Sequence, residues 1–444
     1  MNTDKLLDRI LSRDNLNQAY KQVKRNQGVA GVDGMTVHEM SSYMTENKDA
    51  IISQIRQRKY QPDPVRQVEI PKPNGGVRLL GIPTVKDRLI QQAIAQVLSP
   101  VFDRHFSEYS YGFRPNRYAE MAILQTLEYL NEGYDWIVDI DLERFFDTVN
   151  HDRLMNLMSR TIDDGDVISL VRKFLVSGIQ TDNEYKASII GTPQGGNLSP
   201  LLSNIMLNEL DIELEKRGLR FVRYADDCII MVKSDMAARR VMRSVTAFIE
   251  NKLGLIVNAT KSKVTRPDDP EMKFLGFGFY NDYQAKEYKA KPHKKSVESF
   301  KFKLKQLTRK NWSVDTKYQV ERINQVIRGW VNYFKVGKMK KVLKGIDSHT
   351  RMRIWQKWKT ARNRRKHLIT LGVDKYNAYK YSHTSKGTVR IAYSWILTTT
   401  ITNKRLARFG LVSSVSHYNK VHAQYKIEPP YTEPYVRWCE GTGI

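Results

Sequence analysis

A chain of 444 residues with 41% apolar and 27% charged side chains has the makeup of a globular protein of about two to four domains. No apolar run approaches a membrane span, the opening MNTDKLLDRILSRDN is too charged for a signal peptide, and Cys228 and Cys439 alone allow neither a disulfide framework nor a four-cysteine zinc site. The net charge of +26 is segregated: residues 1–290 hold 39 Lys and Arg against 39 Asp and Glu, and residues 291–444 hold 34 against 8. Such a field binds polyanions, nucleic acid first among them. An anionic membrane is the weaker rival, because the aromatics are interleaved with the bases and not gathered on one helical face. A reducing, cytoplasmic setting is expected.

In chain order, KLLDRILSRDNLNQAYKQVKRN shows helical spacing and ends in a Gly-rich loop, QGVAGVDG. VRQVEIPKPNGGVRLLGIP reads as a hairpin turning at NGG. KDRLIQQAIAQVLSPVF and AEMAILQTLEYLNEG return to helical patterns, and YDWIVDIDLERFFDTVNHDRLMNLM reads as a strand passing into a helix capped near Thr148 or Asn150. KFLGFGFY is a further short strand. Beyond it an amphipathic helix carries Val320, Ile323, Ile327, Trp330, Val331 and Phe334 on one stripe, read as core, before the basic and aromatic RMRIWQKWKTARNRRKHL. The fold class expected is mixed α/β (α+β) through residue 290, then helical and basic.

Candidate chemistry begins at FVRYADDCIIMV, where Asp226 and Asp227 stand between apolar runs. They form either an ordinary polar turn or a seat for a cation. In WIVDIDLERFF, strand alternation puts Asp139 and Asp141 on one face. Beside a hairpin tipped by Asp226 and Asp227, that strand would gather three or four carboxylates, which coexist only when protonated or bound to a cation. A hard divalent ion with oxygen ligands, Mg²⁺ above all, is the natural occupant, and two such ions describe metal-assisted phosphoryl transfer. IPKPNGGVR sets Lys72 and Arg78 on either side of a tight turn, a two-pronged grip for a triphosphate. GTPQGGNLSP offers close backbone approach at Gly195 and Gly196, with Gln194 as a polar reader. Each of these two blocks also reads as a structural loop when taken alone.

PKPNGGVRLLGIPTVKDRLIQQA, YSYGFRPNR, DIDLERFFDTVNHDRL, GTPQGGNLSPLLSNIMLNELD, RYADDCIIM, LGLIVNATKSKV and FLGF follow one another in this order. The series resembles the fingers and palm blocks of reverse transcriptases encoded by group II introns, and IRGWVNYFK resembles their thumb, or maturase, domain. The resemblance implies a right-hand polymerase with an antiparallel catalytic sheet. It divides the chain into an N-terminal extension (1–35), fingers and palm (36–290), helical thumb (291–365) and a basic nucleic-acid-binding region (366–444).

The same resemblance implies roles. Asp141 matches the first catalytic aspartate, with an aromatic, Phe146, five residues later; Asp226 shares both metals, Asp227 is more peripheral, and the Leu142 carbonyl completes the second site. Lys72 and Arg78 match the triphosphate pair, Gln194 the residue beside the nucleotide, Phe146 a steric gate against the 2′-hydroxyl. Lys261 matches the lysine that protonates pyrophosphate, with Lys263 a near neighbour. Arg114 is a candidate for nucleotide or template, or else a salt bridge within the fingers. The implied cofactors are two Mg²⁺ ions, with Mn²⁺ as substitute. The implied partners are structured intron RNA, an RNA template with primer, deoxynucleoside triphosphates and target DNA, with no membrane, in the bacterial cytoplasm. The zinc-linked endonuclease that ends many family members finds no counterpart after Leu411, so priming would rely on another strand. Two other readings keep the resemblance: a non-catalytic splicing factor with a fossil palm, and a reverse transcriptase serving host repair or defence.

Overall fold

The computed structural model describes residues 5–71, 75–181, 184–193, 195–309, 311–312, 314–384 and 399–427. Lys72, Gln194 and the Pro- and aromatic-rich tail from residue 428 lie outside the described residues. The chain divides into two compact units, Met1–Arg266 and Pro267–Ile444.

In the first unit the helical spacing at the amino end gives two helices, Leu6–Ile10 and Arg13–Asn26, the second capped by the Ser12 side chain. Both pack on the long helix Val85–Asp103. The Gly-rich loop is seated at that helix's start. Arg88 donates to the Val29 carbonyl, and a Cβ on Gly31 would stand 2.7 Å from the Thr84 backbone.

The strands of this unit, among the described residues, are β1 (Val65–Pro71), β2 (Val77–Ile82), β3 (Trp136–Ile140), β4 (Ile179–Gln180), β5 (Tyr185–Lys186), β6 (Arg220–Tyr224), β7 (Asp227–Val232) and β8 (Lys263–Thr265). They form two four-stranded sheets, ordered β2-β1-β4-β5 and β6-β7-β3-β8. The expected hairpin is β1–β2, an antiparallel pair, with Gly75 and Gly76 at positive φ ahead of β2. In the second sheet β3 is central, and its β-branched Ile137, Val138 and Ile140 are buried. After it come two helices, Phe145–Thr148 and His151–Ser159, with Asn150 as the cap of the second. The helix Ser199–Lys216 buries apolar residues on several faces, from Leu201 to Leu214, as an interior helix must.

The second unit opens with an antiparallel hairpin, β9 (Phe277–Asp282) and β10 (Glu287–Pro292). The strand expected over KFLGFGFY starts only at Phe277, because Leu275 and Gly276 adopt φ of 48° and 84° and break the extended run. Helices Lys294–Leu307, Thr316–Phe334 and Lys340–Lys357 follow. The amphipathic stripe packs inward: Ile323, Ile327, Val331 and Phe334 are buried, with Val320 and Trp330 half-buried. Trp330 stacks on Phe300 at 4.5 Å between ring centres.

Buried Asp347 ties the helix Ser414–Ile427 to this bundle. Its carboxylate accepts from Ser413 Oγ at 2.7 Å, Ser414 N at 2.8 Å, Ser414 Oγ at 2.6 Å and Asn403 Nδ2 at 3.1 Å. Asp347→Ala orphans these donors and should cost about 2–4 kcal/mol, since bonds to a charged acceptor are the strong ones. A thermal melt of the full chain should show an earlier transition; an unmoved one would deny the network any share in stability.

Candidate active site

Strand register brings the acidic residues to one end of the second sheet. Ile140 lies opposite Cys228 in the β3–β7 pair, and Tyr224 opposite Asp227 in the β6–β7 pair. One further step sets Asp141 beside Asp227 and leaves Ala225 and Asp226 as the turn between β6 and β7. The hairpin therefore carries one aspartate on its tip, not two: Asp226 is half-buried on the turn, and Asp227 heads β7, exposed. Ala225 holds φ +58°, the left-handed backbone this tight turn needs. Asp139 lies inside the sheet, opposite Ile229 and Lys263.

The segment 256–262 clamps the backbone at Asp141. Asp141 N donates to Ser262 Oγ at 3.0 Å, Asn258 N donates to the Asp141 carbonyl at 2.8 Å, and Glu143 N to the Ile256 carbonyl at 2.8 Å. Leu142 bridges Val257 between those bonds, so its side chain is buried while its own carbonyl takes no part in them. Asn258 Oδ1 accepts from Thr260 N and Lys261 N, both at 3.2 Å, which shapes the turn that presents Lys261. Lys261 Nζ stands 3.3 Å from Asp141 Oδ1, across 120 residues of sequence.

Among the described residues no three His, Cys, Asp or Glu side chains close into a metal cage. The side chains that the register brings toward this sheet end, Asp141 and Asp227 with Asp226 on the turn, all carry oxygen donors. That set suits a hard divalent cation and not a soft one. Cys228, the next residue in β7, is buried, and burial pushes its thiol pKa up, so it offers no thiolate.

A second group of residues surrounds Phe146. Thr192 N donates to the Phe146 carbonyl at 2.6 Å, and Gly191 N to the Val149 carbonyl at 2.8 Å. Buried His151 fastens the same strip, its Nε2 lying 2.6 Å from the Gly191 carbonyl. Gly191 has φ +93°, and a Cβ there would stand 3.0 Å from the carbonyls of Phe146 and Asp147. Gly195 presses equally close to the fingers hairpin, its Cβ position 2.7 Å from the Gly81 carbonyl. The GTPQGG loop thus joins β2 to the Phe146 helix, which is the need its glycines meet. A cavity of about 220 Å³ opens here, lined in part by Leu79, Gly81, Phe146, Gly191 and Pro193. Arg78 is exposed on β2 beside exposed Val77 and Leu79. Its intended partner Lys72, and Gln194 of the loop, fall outside the described residues.

Arg114 is placed differently. Its guanidinium is buried and engaged by the Asp103 carboxylate at 2.7 Å, the Ser107 carbonyl, the Ser110 carbonyl at 2.9 Å and the Asp103 carbonyl at 3.1 Å. This is the salt bridge within the fingers that stood as the other reading of the residue. Sequence reasoning passed over Ser262 and His151, and over Arg223 of β6, whose guanidinium is buried beside the Asp211 carboxylate and Asn204 Oδ1. Only Arg223 left a signal, as a charge inside the apolar strand before the aspartates.

Comparison with known proteins follows this geometry. Residues 70–279 match the family described as reverse transcriptase (RNA-dependent DNA polymerase), and residues 297–372 match the group II intron maturase-specific domain. The chain is 33% identical over 284 residues to protein YkfC of Escherichia coli (strain K12), covering 55% of this chain and 74% of that protein. It is 30% identical over 324 residues to the group II intron-encoded protein LtrA of Lactococcus lactis subsp. cremoris, covering 58% of this chain and 54% of LtrA. A chain of a solved partial Cas6-RT-Cas1--Cas2 complex is 26% identical with a TM-score of 0.36, over 56% of this chain and 43% of that one. With a reverse transcriptase domain followed by a group II intron maturase-specific domain, the chain belongs to the family of group II intron-encoded reverse transcriptases.

Proposed function

We propose that the chain extends a primer with deoxynucleotides on an RNA template and assists splicing and mobility of its parent intron RNA. The observation that carries this reading is the register that gathers Asp141, Asp226 and Asp227 at one sheet end, with Lys261 on Asp141. Asp141, Asp226, the Leu142 carbonyl and, at the edge, Asp227 would hold two Mg²⁺ ions, with Mn²⁺ as substitute. Such ions supply an activated primer 3′-hydroxyl and charge stabilisation for the departing pyrophosphate.

The chain's own residues do the rest. Lys72 and Arg78 grip the triphosphate from the fingers hairpin, and Gln194 lies beside the incoming nucleotide. Phe146 sits beneath the sugar, and Lys261 delivers a proton from Nζ to the leaving pyrophosphate. Arg114, buried and with four bonds to Asp103, Ser107 and Ser110, braces the fingers and is not assigned to the nucleotide. The basic residues of 291–444 hold structured intron RNA, the template–primer duplex and target DNA through counterion release. The proposed setting is the bacterial cytoplasm.

The purified full chain, given an RNA template, a DNA primer and deoxynucleotides, should extend the primer with Mg²⁺, stop on chelation and resume when Mn²⁺ is added. Template-independent addition, or no extension with either ion, would overturn the polymerase reading.

A further inference from the structure

Beneath the Ala225–Asp226 turn lies a buried polar network that none of the proposed chemical steps uses. Arg223 on β6 is fully buried, as are Asp211 and Asn204 on the helix Ser199–Lys216. The guanidinium grips Asp211 with two bonds, Nε to Oδ1 at 2.7 Å and Nη2 to Oδ2 at 2.5 Å. Nη1 donates to Asn204 Oδ1 at 3.0 Å and to the Ala225 carbonyl at 2.9 Å. Asn204 Nδ2 donates onward to the Gly112 carbonyl at 2.8 Å. Gly112 lies against the turn itself, where a Cβ would stand 2.2 Å from Ala225 N. The strip before it is tied to the same arginine: Arg223 N donates to the Tyr109 carbonyl and Tyr111 N to the Arg223 carbonyl, both at 2.9 Å.

A buried ion pair is a poor way to gain stability, because apolar residues of the same volume avoid the desolvation penalty. What the pair provides here is direction. A planar guanidinium clamped on both sides of its fork cannot rotate, so the donor left for the Ala225 carbonyl is fixed in space. Ala225, in the left-handed region, passes that constraint to Asp226, the next residue. Asp141 is fixed separately, by Ser262 and Asn258. The two aspartates share the pairing of β3 with β7, but beyond that register each is held by its own set of side-chain bonds, so their spacing depends on both sets.

We infer that Arg223, oriented by Asp211 and Asn204, is the positioning residue of the catalytic turn and sets the place of the Asp226 carboxylate relative to Asp141. The inference rests on the polymerase reading above.

Two variants test it without leaving a buried charge unpaired. Asn204→Ala removes the bridge to Gly112 and one acceptor of Arg223; Gly112→Ala drives a methyl group into the turn and removes no bond. Each should lower kcat for primer extension about 10- to 100-fold, since a displacement near 1 Å costs that much. KM for the deoxynucleotide should stay within about threefold, because the triphosphate grip is elsewhere. The Mg²⁺ concentration needed for half-maximal rate should rise. In protein free of metal, amide exchange over residues 224–228 should quicken while the rest of the sheet stays protected. Wild-type kcat and exchange in both variants would overturn the inference, as would a loss of activity that merely follows the folded fraction in a thermal melt. The polymerase reading fails on a different result, an inactive wild-type chain.

Discussion

Asp226→Asn should abolish primer extension on an RNA template, a loss of about 10³-fold or more, while affinity for RNA should stay within about twofold. The substitution is nearly isosteric and removes one negative charge. The buried network below the turn bonds the Ala225 carbonyl and not the Asp226 side chain, so the hairpin keeps its frame. On the proposed role, the change removes an anionic metal ligand, which a neutral amide cannot replace for a hard divalent ion. RNA affinity is proposed to draw on the 34 Lys and Arg of residues 291–444, which the change leaves alone. Single-turnover extension beside a filter-binding titration at fixed salt separates the two quantities. Extension at more than a tenth of the wild-type rate would sink the metal-ligand role. Splicing assays with the same variant sort the activities further: assistance to intron folding should be indifferent to it.

Much of this is legible in the sequence, for a physical reason. The β1–β2 hairpin, the strand-to-helix passage after Ile140 and the Asn150 cap are local events, written in turn residues, β-branched runs and capping side chains. The stripe of the helix Thr316–Phe334 is likewise a matter of period. Asp141 and Asp226 stand 85 residues apart, yet both sit at strand ends flanked by apolar runs, which suggested adjacency. The turn itself was misread by one residue: Asp227 looked like part of the tip but pairs with Tyr224 as the first residue of β7. Burial of polar residues was the part that did not show. In LSNIMLNELDIELEK, Asn204 and Asp211 look like members of a helix's wet face, seven residues apart. Their burial goes with Arg223, which arrives from the strand β6, and no pattern within the helix announces it. Arg114 is the same case seen from the other side, a charge in an exposed-looking loop that Asp103 draws inward.

Phe146→Ala should raise the use of ribonucleotides relative to deoxynucleotides by about 10²-fold in kcat/KM, with deoxynucleotide incorporation reduced much less. A gate that works by exclusion is only as good as its rigidity, since a ring free to tilt would admit one extra hydroxyl. Phe146 is held from its backbone and its flank. Its carbonyl accepts from Thr192 N at 2.6 Å, and its ring meets Phe145 edge-on with centres 5.2 Å apart. Gly191 lets the strip lie that close, because a Cβ there would stand 3.0 Å from the same carbonyl. Alanine keeps every backbone bond and removes only the ring, so the site stays built while the space beneath the sugar opens. The substituted side chain is half-buried and not part of the fully buried core, which limits the cost to folding. The measurement is the ratio of kcat/KM for each deoxynucleotide to that of its ribonucleotide, on one template. An unchanged ratio with active enzyme would remove Phe146 from beneath the sugar. A fall in both rates together would instead mean that the ring supports the catalytic strand and selects nothing.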